Sequence, residues 1–128
     1  MSNTYDVNFF KSIYEAATIK PTFLQNRFYP DTGYDVELRE FCKEKSIYYQ
    51  SFWTLTGNPH IVKSALITKL AEKYGKTREQ VFYRFVQQSG IIPLSGTTST
   101  DHMHDDLNLL SFALSSAEIE SIDGMLSK

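Results

Sequence analysis

Apolar positions along the chain switch between helical and strand spacing. From Asp6 to Thr18 they recur at helical intervals, with Val7, Phe10, Tyr14 and Ala17 on one face. Pro21 ends that segment, because its ring removes a donor and biases Lys20 toward extended geometry. Thr22-Phe23-Leu24-Gln25 reads as a short strand, and Tyr29-Pro30-Asp31-Thr32-Gly33 as a turn cluster. Residues 35–45 form a second predicted helix, with Leu38, Phe41 and Cys42 inward and Glu37, Arg39, Glu40, Lys43, Glu44 and Lys45 outward. Ile47-Tyr48-Tyr49-Gln50-Ser51 is β-branched and aromatic, hence a strand, and 52–60 a loop holding Gly57-Asn58-Pro59. The stripe Val62, Leu66, Leu70, Tyr74 predicts one helix over 60–74, stopped by Gly75. Thr77-Arg78-Glu79-Gln80 fits a capping box for a helix carrying Val81, Phe82 and Phe85 and ending near Gly90. Ile91-Ile92-Pro93-Leu94 is a third strand, and Ser95-Gly96-Thr97-Thr98-Ser99-Thr100 a polar loop. A helix on Met103, Leu107 and Leu110 follows, and Ser115-Ser116-Ala117-Glu118 opens a last one on Ile119, Ile122 and Leu126.

Strands separated by helices imply βαβ units and a parallel sheet. A parallel sheet must be covered on both faces or close into a barrel. Three strands are too few for closure, so this pattern describes a partial architecture.

The length of 128 residues allows one domain, 1–128. With 41% apolar and 22% charged residues the chain is neither disordered nor fibrous. A net charge of -2 argues against nucleic acid as a partner. No apolar run approaches the about 18 residues of a membrane helix. Met1-Ser2-Asn3-Thr4-Tyr5-Asp6 lacks the features of a signal peptide, and the single cysteine, Cys42, cannot pair internally. The expectation is a cytoplasmic protein.

Several polar groups invite chemistry. The loop at 95–100 between strand and helix could hold a phosphate on exposed N–H groups, or simply turn the chain. Asp101-His102-Met103-His104-Asp105-Asp106 resembles a metal cluster, but only His102 and Asp106 share a face and no third ligand is spaced for it. A solvated helix face is the better reading, so no metal is expected. Cys42 reads as a small core residue. Phe52-Trp53 follows a strand, where an aromatic either stacks on a flat ligand or packs under its loop. Gln25 at a strand end can pair with a ligand amide, although a bond to neighbouring loop backbone is the simpler reading.

Taken in order, these segments resemble the C-terminal half of an aldo-keto reductase. Ser2-Asn3 is similar to the family's S-N after the fifth strand. Ile19-Lys20-Pro21 with Gln25-Asn26-Arg27-Phe28-Tyr29-Pro30 is similar to K-P-x-x-x-Q-x-E-x-x-P, with Arg27 where Glu is usual. Ala71-Glu72-Lys73-Tyr74-Gly75-Lys76-Thr77, Gln80-Val81, Arg84, Ile92-Pro93-Leu94-Ser95-Gly96-Thr97-Thr98 and Phe112-x-Leu114-Ser115 continue the match. The resemblance implies a partial (β/α)8 barrel of the strand-six to strand-eight region plus C-terminal helices. It implies a cofactor, NADPH or NADH. Ser2, Asn3 and Gln25 would bind the nicotinamide carboxamide. Phe52 would stack on the ring in place of the usual Tyr, and Trp53 and Leu55 would flank the pyrophosphate path. Ser95, Gly96, Thr97 and Thr98 would hold the adenosine phosphate, with His102 and Asp106 beyond.

Two departures qualify this. Leu94 stands where NADPH-selective members carry Lys, and His102 takes the place of their Arg, so the preference for NADPH is open. The Asp, Tyr, Lys and His of the catalytic tetrad come from the first four strands of a barrel of about 250 residues, and these have no counterpart here. None of the 8 tyrosines takes the acid's role. The expectation is therefore a truncated reductase with no catalytic residues, inactive alone, that meets a carbonyl substrate only when completed. The alternative is a non-catalytic nucleotide-binding or interaction module, associating with itself or a complementary half through its open sheet edge.

Overall fold

The computed structural model describes residues 3–94 and 112–126. Helix α1 (Val7–Ala16) starts at Asp6, whose carboxylate accepts the N–H groups of Asn8 and Phe9. Strand β1 (Phe23–Arg27) follows, then a 3-10 turn (Pro30–Asp35), α2 (Val36–Glu44) and β2 (Tyr48–Phe52). Next come α3 (Pro59–Val62), α4 (Ala65–Tyr74), α5 (Arg78–Gln88), the two-residue β3 (Ile92–Pro93) and α6 (Ser116–Leu126). The strands form a parallel sheet in the order β1-β2-β3.

Several boundaries differ from the sequence reading. The segment 60–74 is two helices, because the Ser64 hydroxyl accepts the Ile67 N–H and starts α4 afresh. The stripe Val62, Leu66, Leu70 spans the break because both helices face the same core. β1 extends to Arg27 rather than stopping at Gln25. The turn cluster is longer than expected, with Gly33, Tyr34 and Asp35 all at positive φ near 50–60°. The last predicted strand shortens to Ile92–Pro93. The predicted helix on Met103, Leu107 and Leu110, and the cluster from Asp101 to Asp106, lie outside the described residues. No helix among the described residues is long and apolar enough to cross a membrane.

Alternation along the strands divides the sheet's two faces. Leu24, Asn26, Tyr49 and Ser51 are buried toward the helices. There they meet a core that includes Phe10, Phe28, Leu38, Phe41, Ile61, Ile67, Phe82, Phe85 and Ile122. Cys42 is part of it. Each large side chain buried there contributes about 1.5–3 kcal/mol. Phe23, Gln25, Arg27, Tyr48, Gln50 and Phe52 face the other way, onto a surface that the described helices do not cover. Phe23 stays 45% exposed, Tyr48 55% and Ile92 40%, which marks this as the interior face of an unclosed barrel.

Candidate cofactor site on the open sheet face

In parallel α/β proteins ligands bind where the strands end at their C-terminal edge. Here that edge is built from the ends of β1 and β2 and the loop after β2. The register pairs Gln25 with Gln50 and Arg27 with Phe52, and Gln50 in turn with Ile92. All five point to the open face, so Gln25 lies diagonally beside Phe52. The Gln25 amide donates to Gln50 Oε1 at 3.4 Å, a long contact that a better acceptor displaces easily. The segment before α1 runs along the free edge of β1. Asn3 N–H donates to Gln25 O at 3.0 Å, and Asn3 Oδ1 accepts the Tyr5 hydroxyl at 2.9 Å. That same Tyr5 oxygen accepts the Arg27 N–H. Asn3, Gln25, Phe52 and Trp53 are thus gathered at one end of the sheet. Ser2, Ser95, Gly96, Thr97, Thr98, His102 and Asp106 lie outside the described residues.

The loop from Trp53 to Asn58 is held from behind. Asn58 is fully buried and donates to Phe28 O at 2.6 Å and Thr54 O at 2.9 Å. Its Oδ1 accepts the Tyr34 hydroxyl at 2.8 Å. Ser51 and Thr54 share a hydrogen bond at 2.9 Å. Gly57 donates to Trp53 O, and a Cβ at Gly57 would sit 2.9 Å from that same oxygen, so only glycine closes the turn. Leu55 packs its side chain against the core and gives its carbonyl to Asn58 N–H. Its place is that of an anchor for the loop. Trp53 adopts φ 58°, costly for a bulky residue, which turns its half-exposed ring back toward β1.

A second network braces β1 on the helix side. Asn26 donates to Thr4 O at 2.6 Å and Asp35 Oδ2 at 3.0 Å, and accepts Thr4 N–H. The Tyr49 hydroxyl donates to the same Asp35 oxygen at 2.6 Å. Burial pushes the Asp35 carboxyl up, against the hydrogen bonds of Tyr49 and Asn26 and the charge of Arg39. Burial also raises the Tyr34 hydroxyl to about 12 and, together with the Asp35 charge, the Tyr49 hydroxyl above its usual range. These phenols are fixed donors at neutral pH.

Sequence reading missed Arg27, Gln50 and Tyr5 as parts of this face. Carrying the period of two through Arg27 would have placed it there. A cleft of about 910 Å³ lies elsewhere, on the helix side, between α2, the end of α5 and α6. It mixes Arg39 and Lys43 with Glu40 and Asp123, and offers no convergent set of donors for one ligand.

Comparison with known proteins bears on the family and the fold. The Aldo/keto reductase family model matches residues 11–127. Glyoxal reductase of Bacillus subtilis is 24% identical over 123 residues, covering 96% of this chain and 44% of that protein. A Citrus sinensis aldo-keto reductase acting on (1S)-1,7-diacetoxy-luvungin A is 29% identical over 93 residues, or 68% of this chain and 29% of that one. An aldo-keto reductase from a Medee basin deep-sea metagenome superposes at a TM-score of 0.86 with 21% identity, covering 99% of this chain and 47% of that one. A variant of Gox0644 in complex with NADPH superposes at 0.84 with 26% identity, covering 97% and 45%. The chain spans less than half the length of these relatives and takes the form of a partial (β/α) barrel. It belongs to the aldo/keto reductase family.

Proposed function

We propose that this chain forms the nicotinamide-cofactor wall of an aldo-keto reductase barrel. In this reading it takes part in the reduction of aldehydes or ketones when joined, in one chain or two, to a half supplying the Asp, Tyr, Lys and His tetrad. The observation that carries the reading is the placement of the Gln25 amide diagonal to the Phe52 ring on the open face, at the C-terminal edge of a parallel sheet. These groups fit the nicotinamide end of the cofactor. An amide pairs with the carboxamide through one donor and one acceptor, and a flat apolar ring supports the nicotinamide face. Bound there, the cofactor supplies the hydride. The chain's own residues orient its ring, and Asn3, beside Gln25, adds a second polar contact for the carboxamide. Leu94 is half-buried with its N–H tied to Ser51 O, and brings no cation to a 2′-phosphate. Leu94 therefore gives NADPH no advantage over NADH.

The test is calorimetric titration of the chain with NADPH and NADH after a circular-dichroism melt has shown that it folds. Phe52→Ala should weaken binding about tenfold, the scale of one aromatic stacking contact. Gln25→Ala should weaken it as well, and the chain alone should turn over no aldehyde. Equal cofactor affinity in wild type and both variants would refute the site.

The exposed Phe23, Tyr48 and Ile92 favour a second reading, an association module whose open face pairs with a complementary half. Sedimentation of the chain with and without an N-terminal half-barrel separates the two. Cofactor binding that Phe52→Ala weakens, by the lone chain or by the pair, favours the first. Association of the two halves with no cofactor binding favours the second.

A further inference from the structure

The open face carries a charge that the cofactor reading leaves unused. Arg27 closes β1 in register with Phe52, two residues beyond Gln25 toward the sheet's C-terminal edge. Its guanidinium lies over the Trp53 ring, 4.3 Å from the ring centre. Its Nε is buried, yet it has no hydrogen-bond partner among the described residues. Its backbone N–H is taken by the Tyr5 hydroxyl oxygen, which fixes the strand end without engaging the side chain. No carboxylate among the described residues lies within ion-pair distance of it.

A buried N–H without an acceptor is costly, and a guanidinium is the side chain best shaped to recover that cost with one ligand. Stacking uses its face and leaves its in-plane donors available, and a carboxylate or phosphate meets two of them side by side. The tryptophan holding the other face sits at φ 58°, with its carbonyl held by Gly57 N–H at 2.7 Å. The surrounding loop therefore imposes this placement, which free rotation would not favour. Arg27 and Phe52 are register partners on neighbouring strands, which run about 4.8 Å apart, so an oxyanion on Arg27 lies within one small molecule's length of a ring resting on Phe52.

We propose that Arg27, braced by Trp53, is an oxyanion-binding residue at the mouth of this face. It takes a pair of oxygens from a carboxylate or phosphate, borne by the carbonyl substrate or by the dinucleotide. The inference deepens the cofactor-wall reading and rests on it for the identity of the neighbouring ring.

Trp53 is the chain's one tryptophan, so its fluorescence reports the site directly. The full chain is titrated with glyoxylate and with inorganic pyrophosphate at constant ionic strength. At least one should change the emission saturably. Arg27→Met should weaken that response at least tenfold. Arg27→Lys, which keeps the charge and loses the fork, should fall between, and Lys69→Gln on the exposed face of α4 should match wild type. A response to glyoxylate alone assigns the anion to the substrate, and one to pyrophosphate alone assigns it to the dinucleotide. A response to both supports a general oxyanion site. The proposal is overturned if neither anion gives a saturable change, or if Arg27→Met or Arg27→Lys titrates like wild type. Loss of the anion response with NADPH binding intact, and still sensitive to Phe52→Ala, would leave the cofactor reading standing.

Discussion

Asn58→Ala should be among the most damaging polar substitutions in this chain. Asn58 is fully buried, and its amide bridges three partners across the fold: Phe28 O, Thr54 O and the Tyr34 hydroxyl. Truncation leaves two carbonyls and one phenol without those bonds, in a region closed to solvent. Each such group costs about 1–3 kcal/mol. A water admitted to the vacated space would recover part of this, so a loss of about 3 kcal/mol is the expected outcome. That is a large share of the about 5–15 kcal/mol that stabilises a domain. Urea unfolding followed by circular dichroism measures it. With a slope of about 1–3 kcal/mol/M, the midpoint should fall by about 1–3 M. Thr56→Ala, exposed on the same loop, should change the stability by less than about 0.5 kcal/mol. The Trp53 emission of the folded variant should also shift, because the loop that fixes the ring has lost its tie to Phe28. A destabilisation below about 1 kcal/mol would mean that the three bonds are not what holds the loop.

Two further outcomes concern pH. The Glu118 carboxylate resists burial's upward push. Lys73 at 2.7 Å, the Ser115 N–H at 2.8 Å and the Tyr74 hydroxyl hold it down at about 2. Its folded value lies below the unfolded 4.5, so its contribution is present above pH 4.5 and is lost as pH falls toward 2. Glu118→Ala should cost about 1 kcal/mol at neutral pH, and that difference should vanish in acid when melts are compared. Asp35 has the opposite sign. Burial raises its carboxyl above 3.8, so its contribution is greatest below pH 3.8 and is lost as pH rises through the folded value. Asp35→Asn should remove that slope from the stability profile. An unchanged profile would mean that Asp35 does not titrate in the fold.

What was legible in the sequence is what is decided locally. Both capping boxes are present: Thr77 with Gln80, and Ser115 with Glu118, whose N–H groups and side chains bond reciprocally. Gly75 ends α4 at φ 63°, a position only glycine adopts freely. The alternation of strands and helices was enough to foresee a parallel sheet. What was not legible depends on residues far apart in the chain. Asn26 and Arg27 look like loop residues because they are polar. Asn26 is buried by partners 9 and 22 residues away, and Arg27 lies against a ring at position 53. The break at Ser64 was hidden because the apolar stripe runs through it. Asn58 gave no signal at all, since the partner that matters most is Phe28 O, 30 residues earlier.

These distant contacts also explain how the candidate site is positioned. Among the described residues the open face has few bonds of its own, the long Gln25–Gln50 contact and the Arg27–Trp53 stack among them. Its geometry is set from the opposite face. Asn26, between Gln25 and Arg27, is clamped by Thr4 and Asp35, so the two side chains flanking it must point to the open side. Ser51, beside Phe52, is tied to Thr54, and Asn58 pins the rest of that loop to the end of β1. A one-residue slip of either strand would bury Gln25 or Phe52 among the helices and expose Asn26 or Ser51 with their partners unmet. The buried polar groups therefore fix the register that leaves the face able to receive a ligand. Substitutions at Asn26 should weaken cofactor binding without touching the cofactor, an effect that Gln25→Ala would not add to once the register is lost.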